Sequence, residues 1–135
     1  MTIALLLSFL VSILPSSVVG NIGNEHLDIL DYAYTRAVDA GINPIKFIKL
    51  INCESEIDKT AKGDFQTETG KYISQGILQF QKSTYNTYSK RYGLVGTWLS
   101  PYSQINLAAR MISREKDGWR HWYHCARAVH LDDKS

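Results

Sequence analysis

The sequence predicts a mainly α-helical domain carrying one small β-hairpin, and three observations carry that prediction. Apolar residues recur at three- and four-residue steps through most of the chain after Asn24, in segments that open on cap-and-proline pairs and close on glycine. Only Lys59 to Ile73 breaks the habit, with strand-forming residues on either side of a Thr69-Gly70 turn signal. The third is composition: 135 residues, 44% hydrophobic and 21% charged, suffice for one ordinary globular domain and a short appendage. The formal net charge of +2 comes from scattered Lys and Arg, which gives no nucleic-acid-binding stripe but suits an anionic polymer.

The appendage is Met1 to Gly20, which has no charged side chain, and its apolar run from Ile3 to Leu14 stops at Pro15. That is about the length of a signal-peptide core and short of the roughly 17 to 25 residues that cross a bilayer. Val18 and Gly20 supply a small-residue cleavage site. The expectation is a secreted or cell-envelope protein with its domain at 21–135 and no membrane span in the mature form. Because no Lys or Arg precedes the apolar run, an uncleaved anchor or a buried N-terminal helix is the alternative.

The first helix is expected from Asn24, with Leu27, Leu30, Tyr34, Ala37 and Val38 as its apolar stripe and Gly41 as its left-handed stop. Asn43 then caps a second helix that has Pro44 in its first position. Ile45, Ile48, Leu50 and Ile51 supply its buried face with Phe47 beside them, Lys46 and Lys49 its wet side, and it runs into Cys53 and Glu54. A carboxyl group at a helix C-terminus meets the negative end of the macrodipole, and an apolar setting disfavours its charge further. Both effects hold Glu54 protonated, as a general acid requires, whereas Glu56 is expected to point away into solvent. Surface capping is the plainer reading of the Glu54-Ser55 pair taken alone.

After that helix, Phe65, Thr67, Tyr72 and Ile73 have strand character and form the hairpin. Its Asp64 and Glu68 are the candidate second carboxylates, with a turn role as the alternative. Gly76-Ile77-Leu78-Gln79-Phe80 reads as a buried helical turn whose one amide, Gln79, needs partners. Ser83 is placed to cap the tyrosine-rich segment Thr84 to Tyr92, which Gly93 ends, and Ser100-Pro101 opens a helix running to about Lys116. Asn106 is its one singled-out polar residue, as a core hydrogen bonder or part of a groove. Gly118 breaks the chain before the short aromatic helix Trp119 to Ala126.

Two cysteines complete the reading. In an oxidising compartment a Cys53–Cys125 bridge would tie the last helix to the end of the Glu54 helix, worth roughly 2 to 4 kcal/mol; two buried thiols are the alternative. His121 and His124, near Cys125, invite a metal reading, but no HExxH or CxxC cluster completes a site, so neither metal nor cofactor is expected.

Glu54-Ser55, Ala61, Ser74-x-Gly76-Ile77-Leu78-Gln79 and Gln104-Ile105-Asn106-Leu107-Ala108-Ala109-Arg110-Met111-Ile112 resemble, in order, the motifs of the lysozyme-like transglycosylase (SLT) family. The resemblance covers roughly Lys49 to Ala128 and implies a lysozyme-like α-helical domain with its β element beside a cleft for peptidoglycan glycan strands. It implies cleavage of the MurNAc–GlcNAc β-1,4 bond, with Glu54 as catalytic glutamate and Ser55, Ser74, Gln79, Asn106 and Tyr123 at the substrate. The family's late Ala-Tyr-Asn-x-Gly motif is replaced by Trp122-Tyr123-His124-Cys125-Ala126, which leaves Tyr72 and Tyr102 as rivals to Tyr123 for an orienting tyrosine. The protein is expected to act as a monomer. A lysozyme-type hydrolase, a noncatalytic secreted glycan-binding module and a small helical interaction protein are the competing classes; the last would not place Glu54, Ser74, Gly76 and Gln79 in that order.

Overall fold

The helices begin and end where their unpaired backbone groups find partners. The computed structural model describes residues 23–131, so the segment read as an export signal lies outside the described residues. Helix α1 (Asn24–Ala40) stops at Gly41, whose φ of 74° no side-chain-bearing residue adopts cheaply. Helix α2 (Pro44–Ser55) starts as predicted, with Asn43 Oδ1 accepting the backbone N–H groups of Ile45 and Lys46, both at 3.1 Å. Phe47, Ile48, Leu50 and Ile51 are fully buried on it, each worth roughly 1.5–3 kcal/mol in transfer from water. The α1 stripe is rotated from the expected one: Ile29, Leu30, Ala33 and Ala37 are buried and Val38 is exposed, because α1 packs against both α2 and the later helix Pro101–Arg114.

The hairpin is present and has a third strand. β1 (Lys62–Gln66), β2 (Lys71–Gln75) and β3 (Phe80–Gln81) form an antiparallel sheet in that order, with Gly63 opposite Ser74 and Phe65 opposite Tyr72. Gly76 to Gln79 is a turn rather than a helical turn, and Phe80 leaves it as sheet. Helix α3 (Lys82–Tyr92) starts at Gln81 with no side-chain cap, so Ser83 is not its N-cap: the β3 pairing carries the chain straight into the helix two residues earlier. Helix α4 (Pro101–Arg114) has Ser100 Oγ accepting the Ser103 N–H at 3.3 Å. A 3-10 turn (Gly118–Trp122) and the short helix α5 (Tyr123–Ala128) follow, and the Cys53–Cys125 disulfide ties α5 to the end of α2, with Cα atoms 5.7 Å apart.

The core lies between α1, α2 and α4, and one amide pins the sheet to it. Gln104 on α4 is completely buried and makes three hydrogen bonds, accepting the Leu78 N–H at 2.9 Å and donating to the Gln75 and Trp98 carbonyls at 3.0 and 2.7 Å. Gly76 lies against that amide with φ 90°; any Cβ there would strike it. The core hydrogen bonder of this helix is therefore Gln104 and not Asn106, which lies a quarter-turn off the buried face made by Ile105, Leu107, Ala108 and Met111. Trp122 Nε1 donates to the Leu78 carbonyl at 2.8 Å and Trp98 Nε1 to the Phe80 carbonyl at 2.9 Å, so the turn before β3 is held from three sides. No helix among the described residues is long and apolar enough to cross a membrane.

Candidate active site

Glu54 sits in the last turn of α2, and the backbone bends sharply after it. Glu56 and Ile57 both have positive φ, 53° and 62°, and for a β-branched residue such as Ile57 this is costly, on the order of 1–3 kcal/mol. Complete burial of the Ile57 side chain offsets the strain and turns the chain from helix toward β1. Glu56 is exposed, as expected of it.

The same irregularity supplies a second carboxyl group. Asp64 lies between Gly63 and Phe65 on β1, so strand alternation would put its side chain on the sheet face opposite Ser74. Its φ of 53° rotates it back, and Ser74 Oγ donates to Asp64 Oδ2. Glu54, Asp64 and Ser74 thereby line one cleft of about 370 Å³, together with Gln79, Tyr123 and the His121–His124 wall. Burial, and secondly the charge of Asp64, push the Glu54 pKa from 4.5 up to about 7. The carboxyl group expected to be an acid is thus one that holds its proton near neutrality.

The other expected site residues divide. Gln79, with φ 51°, lines the cleft, but both its N–H donors are spent on the Ala61 and Gly76 carbonyls at 3.1 and 2.8 Å. Tyr123 lines it as well, with its hydroxyl accepting from Arg127 Nη1 at 2.6 Å; Tyr102 packs instead on Tyr32, and Tyr72 pairs with Phe65. Ser55 is buried and donates to the Ile51 carbonyl at 3.2 Å, as a serine in a final helical turn readily does, so its hydroxyl is not offered to the cleft. Glu68 is exposed in the turn joining β1 and β2, outside the cleft lining. Asn106 lines a different and larger cavity of about 450 Å³, between the end of α1 and α4, with Arg36 and Arg110. The carboxylate in that cavity, Asp39, is paired with Arg36 at 2.6 Å, so size does not locate the chemistry.

His121 and His124 were legible only as a possible metal pair, yet they form a wall of the cleft. The signal that could have placed them is the disulfide: a bond from the neighbour of Glu54 to Cys125 brings the residues before Cys125 to Glu54. No group of three or more His, Cys, Asp or Glu among the described residues is arranged to hold a metal ion.

No significant match was found among curated proteins or among solved structures. The sequence model of the Transglycosylase SLT domain does match, over residues 31–129, a span that takes in α2, the sheet, every cleft residue named above and all of α5. With Glu54 at the end of α2 and its sheet beside the cleft, the chain belongs to the transglycosylase SLT domain family, whose function is directed at peptidoglycan.

Proposed function

We propose that the protein cleaves peptidoglycan glycan strands at the MurNAc–GlcNAc β-1,4 bond, as a lytic transglycosylase with Glu54 as its single acid and base. The observation that carries the reading is the half-buried Glu54 carboxyl group, protonated up to about pH 7 in an open cleft. Glu54 gives its proton to the glycosidic oxygen as the bond to the MurNAc anomeric carbon breaks. The resulting carboxylate takes the proton of the MurNAc C6 hydroxyl, whose oxygen closes on the anomeric carbon to leave a 1,6-anhydro ring. Tyr123 and Ser74 border the substrate, while Gln79 acts through the turn it braces.

Asp64 supports a second reading. Hydrolases of glycosides ordinarily use two carboxyl groups, one of which activates water or attacks the sugar. Asp64 is a carboxylate in the same cleft, held by Ser74. Mass spectrometry of the products released from purified peptidoglycan by the oxidised protein separates the two. Muropeptides ending in 1,6-anhydroMurNAc support transglycosylation, reducing ends give hydrolysis, and the absence of soluble product leaves a binding module. Action on the wall places the protein outside the cytoplasmic membrane, with Met1 to Gly20 as export signal; the N-terminal sequence of the exported protein tests that.

A further inference from the structure

The two aromatic rings of the hairpin are the most exposed Phe, Tyr or Trp side chains among the described residues, ahead of Tyr123 at 45% and Tyr102 at 39%. Phe65 and Tyr72 are 54% and 48% exposed, while Phe80, Tyr85 and Trp122 are all buried. They are cross-strand partners with ring centroids 5.0 Å apart. Such a pair stabilises a hairpin by roughly 0.2–1 kcal/mol, which accounts for the pairing. It does not account for the side of the sheet the pair occupies.

That side follows from alternation along β2 and from the pairing of β1 with it. Ser74 lines the Glu54 cleft, and a Cβ on Gly63, its partner, would strike Gln79 Oε1 in the same cleft. Two residues along β2, about 7 Å further out, Tyr72 stands on this same face, and Phe65, its partner across β1 with the rings in contact, shares it. The opposite face, carrying Gln75, borders a separate cavity with Lys62 and Leu99. The exposed rings therefore continue the cleft floor outward from Asp64 and Ser74.

We infer that Phe65 and Tyr72 form a stacking platform for a further sugar ring of a β-1,4-linked amino-sugar strand whose cleaved bond lies at Glu54. This rests on the glycan reading proposed above. The apolar faces of pyranose rings match exposed aromatic surface, and the platform makes recognition depend on strand length. A short oligosaccharide fills the cleft alone; a longer one also covers the rings.

Isothermal titration of the full-chain Glu54→Gln protein with chitotriose and chitohexaose tests this without turnover. The hexamer is expected to bind about tenfold more tightly than the trimer. In the same background, Phe65→Leu with Tyr72→Leu keeps apolar bulk on the hairpin but removes the ring faces. It is expected to erase most of the hexamer advantage while leaving trimer affinity and melting temperature unchanged, and Tyr72→Trp is expected to retain the advantage. A hexamer preference that survives the leucine pair overturns the platform and leaves the glycan reading standing. Equal losses for both probes also overturn it, by making the pair structural. A Glu54→Gln protein that binds neither probe overturns the glycan reading, and the platform with it.

Discussion

Gln104 and Glu54 are both polar side chains drawn in from water, and the fold treats them in opposite ways. Gln104 is fully buried and all three of its hydrogen bonds go to backbone groups that would otherwise be stranded. Its surroundings are saturated, as buried amides require. Glu54 is only partly withdrawn, faces an open cleft, and has a second carboxylate set near it by a backbone twist at Asp64. The amide that holds structure is satisfied; the carboxyl group to which the proposed chemistry is assigned is kept under electrostatic tension.

The strongest way to break the comparison is at Glu54 itself. Glu54→Gln is expected to lower peptidoglycan cleavage about a hundredfold or more, read from released muropeptides. The same change should make the fold more stable. The native carboxyl group binds its proton more tightly than the unfolded one, so stability declines as pH rises from 4.5 toward about 7 and stays lower above that. The glutamine variant escapes this loss, by on the order of 1 kcal/mol once solvent access to the carboxyl group is discounted. Thermal melts at pH 5 and pH 8 check the sign: the variant's advantage must be larger at pH 8.

Gln104→Ala should do the reverse. It leaves the Leu78 N–H and the Gln75 and Trp98 carbonyls unpaired and is expected to cost about 3 kcal/mol or more in urea unfolding. Activity measured well below the melting temperature falls only as far as the turn carrying Gln79 loosens. Gln104→Ala with unchanged stability would end the distinction drawn between the two side chains.

The disulfide joins the two regions. It closes a separation of 72 residues, and Cys53→Ser is expected to lower stability by about 2–4 kcal/mol under oxidising conditions only. Melting temperatures that do not respond to reductant in the wild type would argue against the bond. The smallest effect is expected from Asp64→Asn, which removes the second cause of the raised Glu54 pKa and leaves burial, the first. The alkaline limb of the activity profile moves to lower pH but stays above the ordinary carboxylate range. A limb that does not move would show that the Asp64 charge is not felt at Glu54.

The sequence by itself determined most of the helices, the hairpin and the place of Glu54 at a helix end. Asn43-Pro44, Ser100-Pro101, Gly41 and Gly93 act within one turn of the chain, so the helix ends they set were legible, as were the hairpin turn at Thr69-Gly70 and the place of Glu54. The tertiary structure decided the surroundings of Glu54. That Asp64 rather than Glu68 reaches the cleft depends on a positive φ at a non-glycine residue, which local preference opposes and only surrounding contacts sustain. That Gln104 and not Asn106 enters the core depends on how α4 is rotated against α1 and the sheet, and two polar residues two positions apart carry no local sign of that rotation. His121 and His124 reach the cleft because α5 is bonded to α2 from far along the chain. Caps and periodicity are short-range effects, and the geometry of an acid site is set by contacts between segments that meet only on folding.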